Sequence, residues 1–376
     1  ATDLLQALVD GQDIQLIRCT INGVLDVNRL FDPAEKFQNE KLSVTESHDS
    51  RTLSFSQPIV FDKCVFEENV VFAGPWSEPE SVVMEFRADV VFNSSQFKAQ
   101  VRFRNAVFYG VAGFDGCTFD GVVTFKNAVF HEDAKFRTAA FHGYCLLGGA
   151  VFVSSARFAN THFAKGANFS EVKFYAQTDF GGVYSSSRSV PVYDSISFAR
   201  KRYGDDESFW RFVKQSAQEA GYYHLAGECF YNERCASLWQ KFRGPGYYDA
   251  LSPFEKFVRL LLGLRLLPEL VFGRMLFGYG ERPVRVLVAS VLVILFCASF
   301  YAQPGALVFR DGPTQQTFSF PQGLYFSTIT FTTLGYGDFY PAPLGPVRYL
   351  AMAEAICGAF LMALFVVCLA KRFSRG

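Results

Sequence analysis

The run Thr333-Leu334-Gly335-Tyr336-Gly337-Asp338 combines residue types that can strip water from a cation and hold it without a charged ligand. Gly335 and Gly337 let the backbone take positive φ, so successive carbonyl oxygens can face one axis and replace an ion's hydration shell. Thr333 can add its hydroxyl oxygen at one end of the row, and Tyr336 can turn its ring outward to brace the loop against neighbouring aromatic side chains. The chemistry implied is coordination and passage of a cation rather than bond making.

Such a loop needs elements that hold it inside a membrane. Residues 284–302 carry a single charge, Arg285, and at 1.5 Å per residue they reach about 28 Å, close to one hydrocarbon thickness. Residues 347–370 reach about 36 Å by the same arithmetic, enough to cross with tilt. Residues 321–332 are too short to span and suit a re-entrant helix, which a bilayer tolerates only where protein surrounds it. Arg274, Arg282 and Arg285 precede the first span, and Lys371, Arg372 and Arg375 follow the second, whereas residues 303–320 hold only Arg310 and Asp311. The positive-inside rule then predicts a multi-pass plasma-membrane protein with both termini in the cytoplasm. Residues 4–9 are too short, and lack the preceding basic residues, for a signal peptide.

Residues 284–370 resemble a two-transmembrane potassium channel subunit, and Thr330-Phe331-Thr332-Thr333-Leu334-Gly335-Tyr336-Gly337-Asp338 matches that family's T-x-x-T-x-G-Y-G-D signature position by position. The resemblance implies a homotetramer, because one chain supplies one of four loops around the ion. It implies potassium over sodium, with K+ coordinated by Thr333, Leu334, Gly335 and Tyr336, Gly337 completing the filter, and Thr332 and Asp338 supporting it. No cofactor beyond the permeant ion is implied. Leu334 departs from the family's usual Val or Ile and is less stiff at χ1. Glu354, about two turns into the second span, is expensive to bury as a charge. It reads as a brace accepting hydrogen bonds from Ser327, Thr328 or Thr330, as a proton-sensitive gate, or as part of a wet surface. Gly358 reads as a gating hinge, since similar channels bend near such a glycine, or as a point of close packing.

The chain holds 43 phenylalanines, and many of them follow one rule. Positions 86, 92, 97, 103, 108, 114, 119, 125, 130, 136 and 141 alternate spacings of six and five, Leu147 takes the next place, and the series continues through Phe152, Phe158, Phe163, Phe169, Phe174 and Phe180. Small or β-branched residues stand two places earlier, such as Ala106, Ala112, Cys117, Ala128 and Ala139. Strand geometry puts i and i−2 on one face, whereas a helical period would scatter these positions. A squared solenoid with four sides per coil satisfies the pattern. The segment resembles the pentapeptide-repeat family, which implies a right-handed quadrilateral β-helix, with an extra residue on alternate sides as its departure. The register recurs at Leu16, Ile21 and Val27 and at Phe55, Phe61, Phe66 and Phe72, while residues 28–52 and 73–84 read as polar loops leaving the coil.

The expected fold is therefore multidomain. Residues 1–13 form a cap helix, 14–182 the β-helix, 183–251 an α-helical hairpin linker and 252–281 an interfacial slide-helix region. Residues 282–376 form an all-α two-transmembrane, tetrameric pore domain, with spans at about 284–302 and 347–370, pore helix 321–332 and filter 333–337. The linker rests on Phe209, Phe212, Val213 and Ala217 at helical spacing, Gly221 as a stop, a second helix over 222–242, and Gly244-Pro245-Gly246 as a breaker. Ser252-Pro253-Phe254-Glu255 makes a capping box, and Phe257, Leu260, Leu261 and Leu264 beside Lys256, Arg259 and Arg265 suit a membrane-lipid surface.

With 36 basic and 36 acidic residues, the β-helix has no acidic surface to imitate DNA, and no nucleic-acid partner is expected. Assembly of the tetramer, or sensing of a cytoplasmic ligand or protein partner, are its two readings. The five histidines include no pair at metal-ligand spacing with a third ligand nearby, the nine cysteines show no C-x-x-C, and no phosphate-binding glycine loop is present. An enzyme is not expected. A potassium-selective channel is the main reading, and a membrane-anchored β-helix scaffold that recruits a partner, with a vestigial or non-selective pore, is the alternative. The absence of a third or fourth span with regular arginines argues against an arginine-helix voltage sensor.

Overall fold

Strand pairing in the amino-terminal part advances by a whole coil at each step. Val90 pairs with Ala112, Phe97 with Phe119, Val101 with Val123 and Phe108 with Phe130, each partner 22 residues on and each pair parallel. A computed structural model describes residues 1–31, 43–46, 51–75, 82–186, 189–243, 251–310, 319–342 and 345–373. The chain divides into two units, Ala1–Gly263 and Leu264–Gly376.

The first unit is a pentapeptide-repeat β-helix of four sheets with seven, seven, six and eight strands. The phenylalanines fill its interior as stacked columns. Phe108, Phe130 and Phe152 stack at 4.9 and 4.7 Å with rings within 3° of parallel, and Phe136 on Phe158 repeats this at 4.9 Å. Such pairs contribute roughly 0.5–1.5 kcal/mol beyond the area they bury. The small residues two places earlier, Ala106, Ala112, Cys117, Ala128 and Ala139, are buried with them, and their size leaves room for the rings.

The alternating spacing has a backbone cause. Each five-residue step contains a left-handed residue, Ser94, Asn105, Gly116, Asn127, Thr138, Gly149, Asn160, Glu171 and Gly182, at intervals of eleven. The six-residue steps between Phe86 and Phe158 turn without one, and Gly166, φ 127°, is an exception in the step from Phe163 to Phe169. Gly110, Gly121 and Gly143 stand in the former steps because the preceding coil runs too close for a side chain: a Cβ on Gly143 would lie 2.0 Å from the Gly121 carbonyl oxygen.

Three expectations are corrected. The β-helix does not stop at residue 182, because Lys173 and Phe174 pair with Ser197 and Phe198 and Asn168 bridges to Val192. The last step is 24 residues rather than 22, which breaks the period the eye follows. Residues 28–52 are not merely a loop: Ser43–Glu46 pairs antiparallel with Arg51–Phe55, extending one sheet by an edge strand. Within 73–84, strand Val82–Phe86 already joins the fourth side through Phe55 and Phe86. The remainder of those stretches, residues 32–42, 47–50 and 76–81, and Gly244-Pro245-Gly246, lie outside the described residues.

Helices close the interior. In α1, Thr2–Val9, residues Leu5, Leu8 and Val9 join the core at the start. In α2, Glu207–Glu219, Phe209 sits 5.2 Å from Phe180 and 5.5 Å from Phe198, so the second open end of the solenoid is covered as such ends require. α3, Tyr223–Arg243, packs along α2, where Glu233 accepts from Arg211 and Lys214 at 2.9 and 2.6 Å. α4, Pro253–Gly263, opens on the Ser252 and Glu255 box, with the Ser252 amide donating to Glu255 at 2.8 Å.

Two carboxyls start α2 in an unusual state. Burial pushes Asp205 up to about 6, with repulsion from Asp206 adding to it and Arg200 at 3.5 Å opposing it. The folded form thus holds a proton that the unfolded chain releases near 3.8, so stability falls as pH rises from about 4 to about 6 and the penalty is complete at pH 7. Asp205→Asn is expected to remove this penalty, a gain of roughly 1–3 kcal/mol at neutral pH. Hydrogen exchange of the α2 amides in the full chain at pH 5 and pH 7.5 measures it. An undiminished pH dependence in the variant would refute the assignment.

In the second unit, a π-helical segment Glu269–Leu276 leads to α5, Pro283–Tyr301, α6, Phe320–Phe331, and α7, Val347–Phe373. α5 and α7 are each long and apolar enough to cross a membrane. α6 lies against α5 through Gly323, where a Cβ would come within 2.6 Å of the Ala298 carbonyl oxygen.

Candidate functional site

The loop at residues 333–338 begins at the end of α6. Pro321 and a capping box between Ser319 and Gln322 start this helix, and its last turn is closed by two bonds, Thr333 N to Thr330 O at 3.0 Å and Leu334 N to Ile329 O at 2.9 Å. This is a Schellman pattern with Thr333 at the left-handed position, φ 58°, where glycine is usual. A β-branched residue there stores strain of order 1–3 kcal/mol. Gly335 and Gly337 follow with φ 55° and 79°. The sequence pointed to the two glycines and missed the strained threonine.

This geometry spends the amides of the loop on the helix end and leaves its carbonyls over. Among the described residues no hydrogen bond is accepted by the main-chain oxygens of Thr333, Leu334, Gly335, Tyr336 or Gly337. All five residues are exposed in the single chain, Leu334 at 61% and Tyr336 at 69%. The Tyr336 ring has no aromatic partner within the chain among the described residues, so any bracing must come from elsewhere. Asp338 holds the outer end through its backbone, accepting from Arg310 N at 3.0 Å. Beyond it Phe339–Pro341 pairs antiparallel with Leu307–Phe309, the strand that follows α5. This two-stranded pin had no signal in the sequence. Thr332 caps the helix, its hydroxyl donating to Thr328 O at 2.8 Å.

Behind the loop three helices meet on one carboxyl. Glu354 of α7 is 2% exposed, and its Oε2 accepts from the Tyr301 hydroxyl of α5 at 2.6 Å. Its Oε1 accepts from Ser327 of α6, whose hydroxyl also lies 2.8 Å from the Ile294 carbonyl of α5. Tyr301 and Ser327 are fully buried, and Cys297 of α5 is buried as well. Of the three partners named from sequence, Ser327 is present, whereas Thr328 donates to its own helix at Leu324 O. Tyr301, 53 residues away, was not anticipated. A half-buried wet surface does not describe this site.

Gly358 touches the loop's foundation directly. A Cβ there would stand 2.1 Å from the Phe331 carbonyl oxygen and 2.8 Å from its carbon. α7 runs unbroken past it from Val347 to Phe373. The structure thus shows close packing of Gly358 against the end of α6.

Comparison with known proteins agrees with both halves of this description. The family described as "Ion channel" matches residues 288–375, and the family described as "Pentapeptide repeats (9 copies)" matches residues 103–149. A protein of Rhodopseudomonas palustris named "Putative potassium channel protein" is 34% identical over 124 residues, 31% of this chain and 30% of that protein. A delayed-rectifier potassium channel regulatory subunit of Homo sapiens is 31% identical over 98 residues, 26% of this chain and 19% of that protein. The chain thus spans less than a third of the length of these relatives. No solved structure matches it. With α5, α6, the carbonyl-lined loop and α7 all inside or beside the matched segment, the chain carries an ion-channel domain at its carboxyl end and pentapeptide repeats in its amino-terminal β-helix.

Proposed function

We propose that this protein is a potassium-selective channel of four identical chains, conducting K+ through residues 333–337. The observation that carries this is the row of main-chain oxygens at Thr333, Leu334, Gly335, Tyr336 and Gly337 that accept no hydrogen bond among the described residues. Inside a bilayer each unsatisfied carbonyl costs several kcal/mol. Four such loops around one axis repay that cost by coordinating a dehydrated cation. The potassium channel relatives support K+ as that cation. Thr332 and Asp338 hold the two ends of the loop, and Glu354 holds the pore helix behind it.

In this reading both termini face the cytoplasm of a plasma-membrane protein, lipid surrounds α5, and the β-helix serves assembly or gating. It binds no nucleic acid and needs no cofactor. The test is ion flux from the purified chain in liposomes. Potassium uptake at least about tenfold over sodium is expected. Equal sodium and potassium flux, or none, would leave the β-helix scaffold with a vestigial pore as the function.

The buried carboxyl gives a second measurable outcome. Tyr301→Phe keeps the ring, which sits edge-on to Phe326 at 4.8 Å, and removes only the hydroxyl. Leaving the Glu354 oxygen without its donor costs about 1–3 kcal/mol per chain. Heating the tetramer in detergent should show earlier dissociation in Tyr301→Phe, and Glu354→Gln, which can still accept from Tyr301 and bond Ser327, should lie between it and wild type. Identical melting of all three proteins would rule this brace out.

A further inference from the structure

The carboxyl end of α7 is fastened to the turn that launches α5. Lys371 places Nζ 2.8 Å from the Tyr279 carbonyl oxygen and 2.7 Å from Glu281 Oε1. The two side chains are 28% and 15% exposed, so this ion pair is better shielded than the surface pairs that contribute almost nothing. Lys371 also stands at a helix carboxyl terminus, where a positive charge is favoured.

The turn it grips is stiff. Gly278, Tyr279 and Gly280 have φ of 56°, 54° and 85°, three left-handed residues in succession. Gly280 permits the approach, since a Cβ there would lie 3.0 Å from Lys371 Cδ. On its other side the turn is tied back as well: Arg285 Nη1 donates to the Arg274 carbonyl oxygen at 2.8 Å, joining the first turn of α5 to the π-helical segment. Beneath the polar contacts, Val286, Leu361 and Cys368 are buried together, with Leu276 and Phe277 packed against them. Two polar ties and one apolar cluster thus hold the stretch before α5 and the last turns of α7 as one block.

We infer that Lys371 and Glu281 are a positioning pair for the inner mouth of the pore, making the end of α7 move together with the segment that leads into α5. This rests on the tetrameric channel reading, in which four α7 ends border the inner mouth and residues 264–282 are the covalent path from the β-helix and its helices to the pore. Widening the mouth swings this block rather than α7 alone. A displacement of the π-helical segment therefore reaches α7 without passing through the filter.

The experiment uses the full chain in lipid bilayers, with two readouts. In single-channel recording, E281Q and K371Q should each change open probability about fivefold in the same direction, the double variant no further than either single one, and the exchanged pair E281K/K371E should return toward wild type. In hydrogen exchange, both single variants should lose protection at the amides of 279–281 and of the last turn of α7 together. Additive effects on open probability, unchanged open probability in the single variants, or loss of protection at the turn with the α7 end unmoved would each overturn the inference. A wild-type chain that passes no potassium selectively would instead sink the channel reading, and the exchange data would still decide whether turn and helix end move as one.

Discussion

Gly335→Ala and Gly337→Ala are each expected to abolish potassium-selective flux while leaving the β-helix intact. Both positions have positive φ, 55° and 79°, and an L-residue held there costs roughly 1–2 kcal/mol. In the proposed tetramer four chains would meet at one filter and bear about 4–8 kcal/mol together, enough to populate other loop conformations almost completely. Nothing lies within 4 Å of a Cβ built on Gly335 in the single chain, so within one chain the effect comes from backbone conformation and not from collision. Selective flux in liposomes should fall at least about 100-fold. Size-exclusion chromatography should still show an assembled protein, and stacked Phe130 and Phe152 should keep their exchange protection. Retention of selective flux within a factor of two or three would mean that these carbonyls do not form the conduction path.

Thr333 sharpens that expectation. It already sits at φ 58° in a β-branched residue, so the loop tolerates one strained position where the Schellman closure of α6 fixes it. That closure uses the amides of Thr333 and Leu334 at 3.0 and 2.9 Å and reaches Gly335 only through a long 3.4 Å bond to the same Ile329 carbonyl oxygen. Gly335 is held only by that longer bond, so its positive φ and that of Gly337 depend on the freedom that glycine supplies.

The parts of this molecule that were legible in the sequence are those governed by local repetition. A phenylalanine every five or six residues states its own interior, and the two spans state theirs by length. The columns at Phe108, Phe130 and Phe152 follow directly from spacing. What escaped was set by contacts between distant segments. Tyr301 meets Glu354 across 53 residues, and the strand pin between Leu307–Phe309 and Phe339–Pro341 joins segments with no shared period. The last coil escaped for a different reason: two added residues between Phe174 and Phe198 shift the register while parallel pairing continues. A period detects coils only while every coil has the same length.

Gly358 was legible as a glycine with a purpose, and its two readings predict opposite results. If Gly358 is needed for bending, Gly358→Ala changes gating alone, because alanine stiffens a helix by about 1 kcal/mol and adds nothing that collides. If it is needed for contact, the added methyl meets the Phe331 carbonyl oxygen at 2.1 Å, far inside van der Waals distance. α7 or the end of α6 must then shift, and overpacking of this kind costs about 1–3 kcal/mol per chain. The filter starts two residues after Phe331, so the shift is delivered to Thr333 before anywhere else. The expected outcome of Gly358→Ala is a lower dissociation temperature of the tetramer together with weakened potassium selectivity, and Gly358→Val should be worse. Phe331→Ala should not rescue it, because the atom struck is the main-chain oxygen, which alanine retains. A Gly358→Ala tetramer with wild-type thermal stability and selectivity, altered only in open probability, would return this residue to the role of hinge.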